Sequence, residues 1–486
     1  MKRFDNIRER LAAWKTALTG DEKPNWPVLI KKWWLLELFV LYALCAALVF
    51  PHLHVADITA PQREAAAAAT ETPEPTEKPV KKGENLTTAT LAYAGDLVAH
   101  MGIHEQAAAD GGGSYDYTQL MEGALPDVQA ADLAFCCLET TFPEDGNVSG
   151  YPTFQAPRKL AEDLKAAGFD LIETASNHCM DARQEGLIST LDVLDEVGLD
   201  HLGTYRTQAE WDENHGVLVE EINGISIAFL DYTYGTNCYP VTDFPYAVNL
   251  CFKDYLEMDA ADIDEIDYET LDADLAYARS LGTDLIAVFM HWGWEYYTSP
   301  IDYQRELADY LFEQGADLVL GGHPHVPEPM EVRHVKDFEG NERTGFICYC
   351  MGNFISCMND HYTNYTAVTT LELEKDLDTG ETYLKNVSYV PLMMVDTADH
   401  GFNGAGWRYR LIDLHKAIGF YENGDSVGYI NETLYNDMKT AVNEIHEIFG
   451  ARFDRYDPSY QPNTKGELPV NTPAPAETPA AETPAG

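Results

Sequence analysis

Short runs of apolar residues recur along the central part of this chain, and each has the length of a buried β-strand. Segments with helical periodicity lie between them. One of these, GLISTLDVLDEVG, places its apolar residues on one stripe and ends at Gly198, which suits a helix C-cap. This alternation is typical of a mainly parallel sheet covered by helices. The predicted fold class is therefore α/β.

The pattern changes toward the C-terminal side of this region. GFICYCMGNFI, YTAVTTLELE and YLKNVSYVPLMMV alternate more regularly between apolar and polar residues, which is typical of antiparallel strands. We therefore expect them to form a second sheet packed beside the first. Helices are also predicted at about Tyr117–Gln129 and at Pro157–Ala167, the latter stopped by Gly168.

Metal-capable side chains follow five of the apolar runs, at the point where each strand is expected to end. In an open α/β sheet this edge is where ligands bind. Strand ends that deliver Asp, Glu, Asn and His to one edge build a metal site from residues far apart in sequence. The candidate ligands are Asp96, Glu139, Asn177, His178, His291, His323 and His325.

The composition of this set indicates the kind of ion. Carboxylate, amide oxygen and imidazole together suit Mn, Fe or Zn, and the set is large enough for one or two such divalent ions. His178 and His291 are the candidates for proton transfer. A single histidine at a strand end is usually structural, so the prediction depends on the recurrence at five strand ends. The aromatic run WGWEYY at 292–297 either lines a substrate groove or packs against a neighbouring helix.

The two ends of the chain differ from its centre. Residues 33–50 form an apolar run long enough to span a bilayer, and lysines and arginines precede it, which places segment 1–32 in the cytoplasm. A cleaved signal peptide is the alternative. Residues 51–88 and 457–486 are rich in Ala, Thr, Pro and Glu and are predicted to be a disordered linker and tail. The domain at 89–456 is then extracellular.

The formal net charge of −48 restricts the partners. Nucleic acid is excluded as a partner, because phosphate backbones are bound by basic surfaces. An acidic surface of this kind either keeps the domain soluble or repels and guides a polyanionic product.

Taken in order, the segments AGDLV, ASNHCMDARQEGLISTLDVLDEVGLDHLGT, MHWGWEY, GADLVLGGHPHVPEPMEV and CYCMGNFI resemble the CapA family of capsule-synthesis proteins. The resemblance covers roughly Thr90 to Ser356. It implies a calcineurin-like, metallophosphatase-type sandwich of two mixed sheets flanked by helices. It also implies a role in the biosynthesis of poly-γ-glutamate or a similar anionic cell-envelope polymer, with capsule-synthesis membrane proteins as partners. The seven candidate ligands would line its metal-type pocket.

The chain departs from the patterns of such proteins at several positions. Cys137 stands where the family usually has Asn, and Val98 and Cys179 stand where metallophosphoesterases have ligand or acid residues. Three readings follow. The first is a membrane-anchored, metal-dependent hydrolase or transferase. The second is a non-catalytic component of a capsule assembly or export complex. A phosphoesterase of an unrelated small substrate is the third.

Overall fold

Fourteen strands and nine helices form the part of the chain that the computed structural model describes, namely residues 83, 85–256, 265–336, 340, 342–401, 406–464 and 468. The strands are β1 (Leu86–Leu97), β2 (Leu133–Leu138), β3 (Leu171–Glu173), β4 (Asp200–Leu202), β5 (Leu218–Ile222), β6 (Ile225–Thr233), β7 (Leu285–His291), β8 (Leu318–Gly322), β9 (Pro327–Lys336), β10 (Glu342–Met351), β11 (Asn353–Ile355), β12 (Tyr365–Asp376), β13 (Thr382–Asp396) and β14 (Tyr409–Asp413). The helices are α1 (Met101–Gly111), α2 (Leu125–Val128), α3 (Lys159–Ala167), α4 (Arg183–Val197), α5 (Gln208–Asn214), α6 (Tyr268–Leu281), α7 (Asp302–Glu313), α8 (Leu414–Glu422) and α9 (Glu432–Ile445).

The strands form two mixed sheets. The first has the order β14-β13-β12-β1-β2-β3-β4, with β11 also paired to β1, and the second has the order β5-β6-β7-β8-β10-β9. Strands β1 to β4 are mutually parallel, as are β6, β7, β8 and β10. The expected class, an α/β protein with two mixed sheets flanked by helices, is therefore observed.

The division of strands between the sheets differs from the prediction. The parallel strands do not form one sheet with the later antiparallel strands in another. Strand β10 pairs with β8 in the second sheet, whereas β12 and β13 extend the first sheet from β1. The alternation of apolar and polar residues indicates how many faces of a strand are buried. It does not indicate which strand lies beside it, so the sequence pattern could not predict the pairing of β10, β12 and β13.

Aromatic side chains fill the space between the sheets. Tyr93 and Phe135 from the first sheet pack against Phe229 and Phe289 from the second, with the Phe135 and Phe289 ring centroids 5.1 Å apart. Burying a side chain of this size stabilises the fold by roughly 2–3 kcal/mol. The Tyr93 hydroxyl also donates a hydrogen bond of 3.0 Å to the carbonyl of Gly321 in β8. The inner faces of the two sheets are thereby fixed to one another.

Helices cover the outer faces. The apolar residues of α1, α3 and α4 pack on the first sheet, and those of α6 and α7 pack on the second. Helix α3 ends at Gly168, which adopts a positive φ of 109° as its C-cap. The helix predicted at 117–129 is instead a 3₁₀ turn, Thr118–Met121, followed by the short α2. Gly123 separates them, because its backbone N–H donates to the carbonyl of Leu411 in β14.

The predicted termini lie almost entirely outside the described residues, including the apolar run 33–50. None of the helices within the described ranges is both long enough and apolar enough to cross a bilayer. At the C-terminal side, contacts with β13 continue beyond Tyr456. The backbone N–H of Asn463 donates to Asn386 Oδ1 at 2.6 Å, and Asn386 Nδ2 donates to the Asn463 carbonyl at 3.1 Å.

Candidate metal centre

The carboxyl ends of strands from both sheets meet at one place. Asp96 lies near the end of β1, Glu139 directly follows β2, and His291 ends β7. His323 and His325 lie in the turn that follows β8. All five side chains are buried. The strand-end pattern in the sequence therefore brings these residues together, although they come from two sheets and not from the edge of one.

Two groups of ligand-type atoms result. Asp96, Cys137 and His291 form the first group, and their ligand-type atoms lie within 4.8 Å of one another. Glu139, His323 and His325 form the second group by the same criterion. The groups are adjacent, since His291 Nε2 lies 3.1 Å from Glu139 Oε1. This arrangement has the donor set of a centre for two ions.

The turn after β8 is shaped by its backbone. His323 and His325 have positive φ values of 94° and 60°, a conformation that non-glycine residues seldom adopt. Gly322 permits the close approach to β1, because a Cβ there would lie 2.3 Å from Asp96 Oδ1. The backbone N–H of His323 donates to Asp96 Oδ2 at 2.9 Å. The strained turn is thus anchored to a candidate ligand.

Asn353 in β11 orients His325. Asn353 Nδ2 donates to the carbonyls of Thr363 and His325, at 2.9 and 3.2 Å, which leaves its Oδ1 as an acceptor. That oxygen lies 2.9 Å from His325 Nδ1. The same Nδ1 faces the second ligand group, 3.6 Å from Glu139 Oε2, so Asn353 fixes the position of the imidazole beside Glu139. The sequence analysis missed Asn353, whose only signal is that it follows the strand-like run CYCMG.

The electrostatics of the carboxylates favour a cation. Burial, and secondly the charge of Glu139, raise the pKa of Asp96 well above its usual range. Asp96 Oδ1 and both oxygens of Glu139 accept no hydrogen bond of ordinary geometry. A buried Asp96 carboxylate beside another carboxyl group is unfavourable without a compensating positive charge. A divalent ion supplies that charge, so the residues present fit a metal.

The histidines are in the form that metals bind. Burial lowers the pKa of His291 and His323 well below the ordinary value, and neighbouring imidazoles lower it further. Neutral imidazole is the ligand form. His323 Nδ1 is buried and has no hydrogen-bond partner, as expected of a nitrogen placed for an ion.

Asn177 and His178 lie beside these groups. Asn177 Oδ1 is 3.0 Å from His291 Nε2, so its amide contacts the first group. His178 belongs to neither group, and its Nδ1 lies 2.8 Å from Asp181 Oδ2. Burial by itself lowers the pKa of His178, but the hydrogen bond and charge of Asp181 outweigh it, and the pKa is raised. The hydrogen bond and charge of Asp181 therefore favour the protonated form of the His178 ring.

Asp231 in β6 was also missed by the sequence analysis. It is buried, and its Oδ2 accepts hydrogen bonds from the backbone N–H groups of Thr174 and Ala175, at 3.0 and 2.9 Å. These two residues belong to the loop that carries Asn177 and His178. Asp231 thus connects the second sheet to that loop of the first and sets its position. An Asp inside an apolar strand, ISIAFLDYT, was the available signal.

Glu328 is buried just beyond the histidine turn. Gln304 Nε2 donates to its Oε2 at 2.9 Å, and burial raises its pKa to about 8. The folded chain therefore holds this proton at pH values where the unfolded chain has lost it, so ionisation lowers stability as pH rises from about 4.5 to about 8.

Replacing this residue removes the titration. Glu328→Gln is expected to be close to wild type in stability at pH 5 and more stable at pH 9, by up to roughly 4 kcal/mol, since one pKa unit corresponds to about 1.4 kcal/mol. Urea unfolding at both pH values measures the difference. An equal effect of the substitution at pH 5 and pH 9 would contradict a protonated Glu328.

A third cluster lies away from this centre. His415 Nε2 and His446 Nε2 lie 2.6 and 2.7 Å from the same oxygen, Oδ2 of Asp454. Those are hydrogen-bond distances, too short for three ligands arranged around an ion. Burial alone would raise the pKa of Asp454, but the two histidines outweigh it and lower that pKa to about 2. The cluster is an ion-paired network and not a metal site.

The fold and site define the class of protein: two mixed sheets whose strand ends build a candidate two-ion centre. The model of the family described as "Bacterial capsule synthesis protein PGA_cap" matches residues 90–358, more than half of the 486-residue chain. The chain belongs to this family. The matched region contains both ligand groups.

Two similar proteins come from Bacillus. The PGA biosynthesis protein CapA of Bacillus subtilis (strain 168) is 29% identical over 222 residues, which cover 46% of this chain and 52% of that protein. The capsule biosynthesis protein CapA of Bacillus anthracis is 25% identical over 202 residues, covering 41% and 43%. The match thus spans about half the length of these relatives.

Two solved structures are also similar. The calcineurin-like phosphoesterase YfkN of Bacillus subtilis is 12% identical, with a TM-score of 0.37, over 63% of this chain and 90% of that one. A phosphatase from Mycoplasma pneumoniae is 14% identical, with a TM-score of 0.36, over 63% and 94%.

Proposed function

We propose that this chain is a metal-dependent hydrolase or transferase of capsule biosynthesis, and that it cleaves an ester at an anionic centre of phosphate type. The observation that carries the proposal is the pair of adjacent, buried ligand groups beside an open cavity of about 630 Å³. Asp96, Cys137 and His291 would hold one ion. Glu139, His323 and His325 would hold the other.

The residues of the site would have different roles in the reaction. Divalent ions in such a centre act as Lewis acids and generate a nucleophile from water at neutral pH. His178 lines the cavity, and because its Nδ1 faces Asp181, its Nε2 is the nitrogen that can donate a proton to a leaving group. His291 was also predicted to transfer protons. Its burial and its contacts with Asn177 and Glu139 favour a ligand role instead.

The side-chain amide of Asn177 is held in a fixed orientation in the cavity wall. One N–H of its Nδ2 faces Asn237 Oδ1 at 3.3 Å, and its Oδ1 faces His291, so the amide is held at two points. The amide also forms a side-chain hydrogen bond with the hydroxyl of Tyr234, so Asn177 positions both His291 and a tyrosine of the cavity wall.

The proposal includes the location of the chain in the cell and its partners. The family and the apolar run 33–50 support an anchor in the cell membrane, with the N-terminus in the cytoplasm and the catalytic domain outside. Capsule-synthesis membrane proteins and the cell-envelope polymer would then be its partners. Divalent Mn, Fe or Zn suits the ligand types.

The test uses the purified full-length chain and bis(p-nitrophenyl) phosphate. We expect hydrolysis that a chelator abolishes and that added Mn²⁺ or Zn²⁺ restores. Asp96→Asn is expected to lower it at least about 100-fold, because a ligand is lost. The matched control is His361→Ala, an exposed histidine paired with Glu444 outside the centre. Activity that is unaffected by both chelator and Asp96→Asn would refute the proposal and favour the non-catalytic reading.

A further inference from the structure

The cavity beside the candidate metal centre has a distinctive lining. Its walls are rich in aromatic rings, and the segment that follows His291 supplies three of them. No lysine or arginine lies among the described residues that line it. The aromatic residues are Tyr151, Tyr234, Tyr239, Trp294, Tyr296 and Tyr297.

The rings at the mouth present surface to solvent. The Tyr151 side chain is 80% exposed, and Tyr296 and Tyr297 are about half exposed, at 49% and 54%. Their positions are tied to the centre: Tyr296 packs near His325 with ring centroids 6.3 Å apart, and Trp294 meets Tyr297 edge-on at 5.3 Å. Residues 294–297 therefore line the cavity, whereas Trp292 is buried in the core against Tyr349, so each of the two readings of this run holds for part of it.

The charge at the mouth is negative. Glu295 is an exposed residue of the lining. Asp360 is close enough that its charge, after burial and Glu295, contributes to raising the pKa of Tyr296. The carboxylate of Asp181 is paired with His178. The Arg183 guanidinium stacks on the Tyr239 ring at 3.8 Å, and Arg183 lines an adjacent depression rather than this cavity.

Such a surface recognises cations. The faces of Tyr and Trp rings attract an ammonium group, and quaternary ammonium ligands are bound in cages of this composition. Carboxylates beside the rings add Coulomb attraction and repel polyanions. A polymer with one negative charge per unit, such as poly-γ-glutamate, would meet Glu295 without a compensating lysine or arginine among the described residues of the lining.

We propose that the aromatic, acidic mouth is a subsite for an ammonium group, so that the substrate is a zwitterionic phosphoester with its phosphate at the metal groups. The placement of the phosphate at the metal groups rests on the proposed function. The ammonium subsite does not depend on it. Hydrolysis would form a bond from phosphorus to the oxygen of water and break the bond to the alcohol. The leaving alcohol oxygen takes a proton, which His178 Nε2 is placed to give.

Binding is measured first, on the full-length chain treated with chelator. Choline is compared with 3,3-dimethylbutan-1-ol, its uncharged isostere, by ligand-observed NMR titration. We expect choline to bind with a dissociation constant in the millimolar range and at least about 10-fold more tightly than the isostere. Each of the substitutions Glu295→Gln and Tyr296→Leu is expected to raise the dissociation constant of choline by about 3- to 10-fold. Tyr456→Leu, at an exposed tyrosine elsewhere, is the control.

Several results would overturn the subsite. Equal binding of choline and its isostere would show that charge is not recognised. Tighter binding of a neutral disaccharide would assign the rings to sugar stacking, and tighter binding of oligo-γ-glutamate would assign the mouth to a polyanion. Loss of choline binding in Tyr456→Leu to the same extent as in Tyr296→Leu would locate the site elsewhere.

Turnover separates this inference from the proposed function. The metal-loaded chain is given p-nitrophenyl phosphorylcholine and the matching 3,3-dimethylbutyl ester. We expect kcat/KM to be at least about 10-fold higher for the choline ester, and Glu295→Gln to reduce that preference. Chelator-sensitive hydrolysis of both esters at equal rates would keep the hydrolase and reject the subsite. Selective choline binding with no hydrolysis of either ester would keep the subsite and reject the hydrolase.

Discussion

His178→Gln is expected to lower the turnover number at neutral pH by about 10²- to 10⁴-fold, the usual contribution of a general acid. Glutamine keeps a polar side chain of similar reach and removes the titratable proton. Because His178 lies outside both ligand groups, bound metal should be unchanged. The measurement is kcat for an alkyl phosphodiester, whose leaving alcohol must be protonated, together with metal content. His361→Gln serves as the matched control.

The pH profile tests the same role through Asp181. A general acid works only when protonated, so activity falls as pH rises through its pKa. Asp181 outweighs the effect of burial and holds the pKa of His178 above its ordinary value. Asp181→Asn removes that charge, and the descending limb of kcat should move to lower pH. Loss of metal from His178→Gln, or a descending limb that does not move in Asp181→Asn, would contradict proton donation by His178.

Asp231→Ala is expected to destabilise the fold by about 3 kcal/mol. The substitution leaves two buried backbone N–H groups, of Thr174 and Ala175, without their acceptor, and each such loss costs about 1–3 kcal/mol. Burial raises the pKa of Asp231 well above its usual range, so its neutral form resembles asparagine. Asp231→Asn should therefore cost less than about 1 kcal/mol.

Urea unfolding of the wild type, Asp231→Ala and Asp231→Asn measures the difference in their free energies of unfolding. The midpoint should move strongly for Asp231→Ala and slightly for Asp231→Asn. Turnover should also fall in the alanine variant at temperatures where it is folded, because the loop that holds Asn177 and His178 loses its fixed point. If alanine and asparagine were equally destabilising, the carboxyl oxygen would not be holding this loop.

The sequence indicated the elements better than their partners. The helix at Arg183–Val197 ends at Gly198, as its pattern indicates, and the apolar runs before Asp96, Glu139 and His291 are strands. Local periodicity and capping are encoded locally, so they are visible in one chain. The assignment of β10 to one sheet and β12 to the other depends on long-range pairing, which leaves no local trace.

The candidate site shows the same limit. Five of the seven predicted residues lie in the two ligand groups, because the carboxyl ends of strands from both sheets meet there, and Asn177 and His178 lie beside them. The orienting residues left only weak signals in the sequence, for a different reason. Asn353 and Asp231 act through contacts with residues far away in sequence, and each type occurs in strands or turns without any such role.

Metal content of the purified full-length chain, by elemental analysis, tests the candidate centre most directly. We predict about one to two equivalents of transition metal in the wild type and in His361→Ala, and loss of that metal in the double variant His291→Ala/His323→Ala. Circular dichroism confirms that all three chains are folded. Absence of metal from the folded wild type after loading with Mn²⁺, Fe²⁺ or Zn²⁺, or equal metal in the double variant, would contradict a metal centre at these strand ends.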